Sequence, residues 1–199
     1  MLDTHARKYA DSSLLRIARW LLKIGLSPNQ VTAAAFVVGL SSGAAAYLRQ
    51  PVIAVVLLWL SGLLDAVDGT MARMTGKSSL FGAVLDVVSD RIVELCVIWA
   101  LALLHPQSLV ALLGLVSSIL LSMTVFLTTG MYAKNTGGKS FYYQAGLMER
   151  TEGFLAFTAI LLFQGGLCVL TWIYTGLIAV TIVQRLAEAY RLARQTAED

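Results

Sequence analysis

The sequence predicts an all-α integral membrane protein: six transmembrane helices preceded by an interfacial amphipathic helix. Three observations carry this. Of the 199 residues, 57% are hydrophobic and 14% charged, with a mean hydropathy of +0.73, a balance displaced from that of soluble domains. The apolar residues are gathered into six runs close to the roughly 20 residues a helix needs to cross the hydrocarbon core. Lysine and arginine collect at alternate ends of those runs, as the positive-inside rule requires of a multi-pass chain.

The first element follows a polar start, MLDTHARKYADSS. Leu14, Leu15, Ile17, Ala18, Leu21, Leu22 and Ile24 then recur at helical spacing, with Trp20 alongside and Arg16, Arg19 and Lys23 on the polar side. Such a helix lies in the cytoplasmic interface or packs on the core. The three cations interrupt the apolar run, so no cleavable signal core is expected. The spans are expected at residues 29–48, 51–73, 79–104, 108–131, 147–163 and 167–185. Pro28, Pro51 and Pro106 fall at or near span starts, where a missing amide proton does least harm. The chain thus divides into a polar and interfacial stretch (1–28), a six-helix domain (29–186) and a cytoplasmic C-terminal tail (187–199).

Orientation follows from the cations. The N-terminal stretch holds Arg7, Lys8, Arg16, Arg19 and Lys23; the second and fourth loops hold Arg73, Lys77, Lys134, Lys139 and Arg150; Arg185, Arg191 and Arg194 close the chain. The other loops hold only Arg49. Both termini and the second and fourth loops are therefore expected in the cytoplasm, in a multi-pass protein of the cell membrane.

Several function classes lose ground at once. The net charge of +3 and pI near 9.0 come from short clusters at span ends rather than one basic stripe, which argues against nucleic acid as a partner. Cys96 and Cys168 have no CxxC or Cys/His spacing and read as core thiols. No internal repeat points to an inverted-repeat transporter.

What remains to explain is the acidic content of spans two and three. Asp65, Asp68, Asp86 and Asp90 lie in the run LLDAVDGTMARMTGKSSLFGAVLDVVSDRIVEL. A carboxylate at mid-membrane costs about 2.5–3.5 kcal/mol on insertion scales, so four need metal, partners or a wet cavity. At about 100° per residue, Asp65, Asp68, Gly69, Ala72 and Gly76 share one helix face, and Ser79, Gly82, Asp86 and Asp90 share another. Two such faces can enclose a pocket of oxygen ligands floored by small residues. Carboxylates without His or Cys favour hard cations such as Mg²⁺, Mn²⁺ or Ca²⁺. Gly69 and Gly82 would let a phosphate approach the backbone, and Arg73 offers a planar donor fork suited to it. Phosphoryl chemistry is the expected result.

The same residues read DxxDGxxARx8Gx3Dx3D from Asp65 to Asp90, without gap or substitution. This resembles the signature of the CDP-alcohol phosphotransferase family. The resemblance extends to LSPNQVT at Leu26–Thr32 and to the six expected spans. It implies a transferase that moves a phosphatidyl group from a CDP-linked lipid such as CDP-diacylglycerol to the hydroxyl of a small alcohol, releasing CMP. It also implies two divalent cations, Mg²⁺ or Mn²⁺, and a homodimer. By position it makes Asp65, Asp68 and Asp86 metal ligands, and Asp90 the general base with a share in the metal. Asp68, Gly69, Arg73, Gly82 and Asp86 contact the nucleotide, joined by Pro28 and Asn29.

The acceptor is read from the fourth loop. A phosphate-bearing acceptor needs a cationic subsite, and Lys134, Lys139 and Arg150 are the candidates. Family members that use inositol phosphate carry an ERxER run entering span five; here it reads ERTEG, with Gly153 in place of the second arginine. A polyol phosphate, glycerol phosphate or inositol phosphate, is favoured over serine. The rival readings are an Mg²⁺-dependent membrane prenyltransferase, which would release diphosphate, and a divalent-cation transporter, which would not need Gly69, Arg73 and Gly82. An intramembrane aspartyl protease would need a GxGD element that is missing. Arg91 and Glu94 are expected as a local ion pair, and Gly39 and Gly43 as a helix-packing GxxxG.

Overall fold

Helix starts and stops are written in the sequence. The computed structural model describes residues 2–76, 79–132 and 146–198. After α1 (Leu2–Lys23), Ser27 caps α2 (Pro28–Tyr47) through a capping box. The Gln30 amide donates to Ser27 Oγ, and the Ser27 amide donates to Gln30 Oε1 at 2.9 Å. Such a cap is worth about 1 kcal/mol. Pro51 opens α3 (Pro51–Thr75), and Gly76, at φ +64°, closes it in the left-handed conformation that only glycine adopts freely. Ser79 then caps α4 (Leu80–Leu104), accepting from the Gly82 amide at 3.0 Å.

A single 3₁₀ turn at Pro106–Ser108 leads into α5 (Leu109–Tyr132). After it come α6 (Arg150–Leu162), a second 3₁₀ turn at Gln164–Gly166, and α7 (Leu167–Glu198). All six expected spans are present as helices. Pro28–Tyr47, Pro51–Thr75, Pro106–Met131 and Gln164–Arg194 are each long and apolar enough to cross a bilayer alone. The other two differ for physical reasons. Helix α4 is long enough but carries Asp86, Asp90, Arg91 and Glu94, while α6 has 13 residues, about 20 Å at 1.5 Å per residue. Helix α7 continues well past the expected span end at Arg185, so the described part of the tail is helical.

Small residues set the packing. Helix α2 is the spine on which α3 and α4 both lie, α5 packs on α7, and α6 sits between α3 and α7. A Cβ on Gly39 would strike Val93 and fall 2.7 Å from Ser61 Oγ; one on Gly43 would fall 2.8 Å from Cys96 Cβ. The GxxxG of span one is therefore a contact surface, as expected. Interhelical hydroxyls reinforce it: Ser61 donates to Ala35 O and Ser42 to Ala54 O, both at 2.8 Å. Such bonds in membranes contribute about 0.6 kcal/mol on average. Leu58, Val97, Leu101, Leu112, Leu115, Phe157 and Leu161 fill the main core.

Helix α1 packs on the core: Ala18 and Leu21 are buried against Val31, Val67 and Met71, while Trp20 on the helix and Ile24 just past its end are exposed. The thiols divide: Cys96 packs beside Gly43, but Cys168 is exposed and so is not a core residue. An apolar residue on a membrane helix faces lipid as readily as core, which is why hydropathy alone misplaced it. Tyr174 is buried, and Trp172 is partly exposed on the outside.

One helix end is unusual. Helix α2 terminates with the Gln50 amide donating to Ala45 O and the Arg49 amide to Ala46 O, with Arg49 at φ +58°. This is a Schellman stop with arginine at the position glycine normally takes, at a cost of about 1–2 kcal/mol.

Candidate active site

The aspartate helices both rest on α2 rather than closely on one another, and the early part of α4 is exposed, from Leu80 and Phe81 to Val88. The carboxylates reach across the resulting gap. Oxygens of Asp65 from α3 and of Asp86 and Asp90 from α4 lie within 4.8 Å of one another. The facing of two helix faces predicted from i+3 and i+4 spacing is therefore found for these three.

Arg150, the first residue of α6, closes the group. Its guanidinium pairs with Asp65 through Nη1 and donates from Nη2 to Asp90 Oδ1 at 2.9 Å. The Arg150 side chain is 37% exposed against 12% for Asp65, so the cation forms the outer wall and the carboxylates the floor. Three like charges at this separation repel strongly in a medium of low dielectric. One guanidinium offsets part of that, and the remaining negative excess suits a divalent ion.

Asp68 stands outside the close group. It is 7% exposed, Thr32 of α2 interacts with it, and its Oδ2 is buried without a hydrogen-bond partner among the described residues. A buried carboxylate oxygen with no donor is costly unless a cation or ligand group meets it. An all-oxygen donor set of this kind fits Mg²⁺ or Mn²⁺.

The remaining expected residues fall around this floor. Arg73 lies one turn beyond Gly69: its Nη2 donates to Thr70 Oγ1 at 3.0 Å, and a Cβ on Gly69 would meet its Nη1 at 3.5 Å. Gly82 sits in the first turn of α4, its amide taken by the Ser79 cap. Pro28 is buried at the start of α2 and Asn29 exposed beside it. Their neighbour Thr32, which sequence reasoning did not single out, links this turn to Asp68. Lys134 and Lys139 lie outside the described residues. Arg91 and Glu94 form the expected local pair, Nη1 to Oε2 at 2.7 Å.

Helix α7 supplies what the sequence did not signal. The Met148 amide donates to Thr181 Oγ1 and the Leu147 amide to Gln184 Oε1, both at 2.9 Å. Gly146 donates to Glu149 Oε1 at 3.3 Å, and a Cβ at Gly146 would collide with Thr181. These contacts fix the strand of chain that delivers Arg150. Arg185 is buried below them, donating from Nη1 to Ser122 Oγ at 2.9 Å with its guanidinium over the Phe126 ring. Gly153 packs against α7 as well, since a Cβ there would lie 3.0 Å from the Tyr174 hydroxyl.

A family model described as CDP-alcohol phosphatidyltransferase matches residues 25–186. Phosphatidylinositol phosphate synthase of Corynebacterium glutamicum is 34% identical over 206 residues, covering 95% of this chain and 89% of that one. Archaetidylinositol phosphate synthase of Pyrococcus horikoshii is 36% identical over 97 residues, 49% of this chain and 52% of that protein, so the match spans about half of it. Among solved structures, Mycobacterium tuberculosis phosphatidylinositol phosphate synthase with CDP-DAG bound has the same fold, with a TM-score of 0.71 at 23% identity over 89% of this chain and 93% of that one. A second structure of that enzyme, in complex with manganese and citrate, superposes with the same TM-score.

Proposed function

Because the chain belongs to the CDP-alcohol phosphatidyltransferase family, we propose that it transfers a phosphatidyl group from CDP-diacylglycerol to inositol phosphate, releasing CMP. One observation carries the choice of acceptor: Arg150 brings a guanidinium to Asp90, the carboxylate expected to act as base. An acceptor bound by its phosphate to that guanidinium has its hydroxyl close to Asp90. A free alcohol would bring no anion to that guanidinium, whose role would then end at its pairing with Asp65 and Asp90. The full-length relative named for phosphatidylinositol phosphate supports inositol phosphate over glycerol phosphate.

Asp65, Asp68 and Asp86 are proposed to hold two Mg²⁺ or Mn²⁺ ions, with Asp90 sharing one of them as well as acting as base. When bound, the metal neutralises the diphosphate and stabilises the departing CMP. The protein's own groups do the rest. Gly69 and Gly82 let the nucleotide approach the backbone, with Arg73, Pro28 and Asn29 beside it. Asp90 accepts the proton of the attacking hydroxyl. Arg150 and, from the fourth loop, Lys134 and Lys139 hold the acceptor phosphate. Neither rival reading uses this family's transfer chemistry.

The catalytic body is taken as residues 29–186, with 1–28 at the interface and 187–199 as the tail. The termini and the aspartates are placed on the cytoplasmic side, where the cation count puts them. The functional unit is proposed to be a homodimer, an expectation that light scattering of the purified protein tests.

The acceptor assignment is tested with purified protein, CDP-diacylglycerol and Mg²⁺ or Mn²⁺, scoring CMP against inositol phosphate, glycerol phosphate, inositol and serine. CMP release dependent on inositol phosphate is expected. Release that follows serine or free inositol instead would overturn the choice.

A further inference from the structure

The α2–α3, α4–α5 and α6–α7 junctions border an open cavity of about 410 Å³, whose lining includes Arg49, Pro51, Leu104, His105, Leu162 and Gln164. Pro51 lies fourteen residues from Asp65 along α3, and Leu104 fourteen from Asp90 along α4, about 21 Å at 1.5 Å per residue. The cavity is thus at the opposite end of the bundle from the aspartates.

Its polar wall is largely self-satisfied. The Gln164 amide nitrogen donates to Leu161 O at 3.2 Å, which turns its Oε1 toward His105 Nε2 at 3.0 Å. His105 thus bridges the wall, with Nε2 against Gln164 and Nδ1 3.4 Å from the Gln107 amide nitrogen. Arg49 is the only lysine or arginine in the three junctions, and it has no acidic partner among the described residues. Yet it occupies a φ of +58°, where glycine would serve the backbone better. An arginine at such a site gives the junction a guanidinium that the turn itself does not need.

The surroundings identify the ligand class. Leu48, Val52, Leu103 and Phe163 beside the cavity are all more than 60% exposed. In a membrane protein these contact acyl chains, which a soluble anion lacks. We propose that this cavity binds the headgroup phosphate of a phospholipid from the adjacent leaflet, with Arg49 taking the phosphodiester and the acyl chains lying along the apolar rim.

The test compares wild type with Arg49→Gly in detergent, by native mass spectrometry and thermal melting. The probes are phosphatidylglycerol, diacylglycerol with no phosphate, and inorganic phosphate. Wild type is expected to retain one tightly held phosphatidylglycerol that the variant binds at least about tenfold more weakly. Without lipid the variant melts at the same temperature or higher, because glycine relieves the positive φ. Equal lipid affinity in the two proteins, retention of diacylglycerol as strong as that of phosphatidylglycerol, or saturation by inorganic phosphate at the same concentration as the lipid would each overturn the assignment.

Discussion

Arg150 donates to Asp90 Oδ1 at 2.9 Å across 60 residues of chain, and the same guanidinium pairs with Asp65. Three helices therefore meet at one charged group: α3 through Asp65, α4 through Asp90 and α6 through Arg150 itself. Replacing Arg150 with alanine removes the cation and leaves both carboxylates in place. The acceptor kcat/KM is expected to fall about 10- to 150-fold, the equivalent of about 1.5–3 kcal/mol for a hydrogen bond to a charged group. The KM for CDP-diacylglycerol should change little. An unaltered acceptor KM would show that Arg150 does not anchor phosphate. Arg150→Lys should recover only part of the loss, since an ammonium lacks the planar fork that engages two carboxylates at once.

Asp90→Asn keeps the size and polarity of the side chain and removes its basicity. If Asp90 takes the acceptor proton, kcat should fall by about 10²–10⁴-fold. Binding of the CDP-lipid, measured by titration calorimetry, should survive. A kcat within a fewfold of wild type would move the base elsewhere.

The fold imposes its own test at Gly43. A Cβ there would lie 2.8 Å from Cys96 Cβ and 2.9 Å from the Cys96 carbonyl carbon. The second contact is backbone, so α4 itself must shift. Gly43→Ala is expected to cost about 1–3 kcal/mol by overpacking. It should lower the melting temperature and activity together, because Asp86 and Asp90 ride on the displaced helix. Cys96→Ala keeps the clashing Cβ and the backbone contacts, so it should restore none of the loss.

Thr181 acts at one remove, as a positioning residue. Its hydroxyl accepts from the Met148 amide at 2.9 Å and donates to Leu177 O at 3.1 Å, at a fully buried site. Thr181→Val strands a backbone amide two residues before Arg150, at about 1–3 kcal/mol for the unsatisfied group. The acceptor KM should rise severalfold with the donor KM unchanged, and Thr181→Ser should restore it. A purely structural role would lower stability without separating the two KM values.

These relationships differ in how far the sequence could reveal them. Asp65, Asp86 and Asp90 share helix faces by simple periodicity, so their meeting could be read from spacing. Asp68 lies on the Asp65 face by the same arithmetic, yet it is held outside the close group with Thr32 of α2 beside it. Its placement depends on how α2 crosses α3, which spacing within one helix does not encode. Arg150 was visible as a cation at the head of span five, but no period links it to Asp65. Thr181 and Gln184 carry no signal at all, because a hydroxyl and an amide on a long helix are ordinary until a particular loop lies against them. The shortness of α6 and the charges of α4 explain why hydropathy marks four of the six spans clearly.

The central claim is that carboxylates of α3 and α4 gather a divalent ion for phosphatidyl transfer, and anomalous diffraction from crystals grown with Mn²⁺ and CDP-diacylglycerol tests it most directly. The account predicts a manganese peak bonded to oxygens of Asp65 and Asp86, lost in an Asp86→Asn variant that also fails to release CMP. Manganese bound away from these residues, or an Asp86→Asn variant that turns over normally, would contradict it.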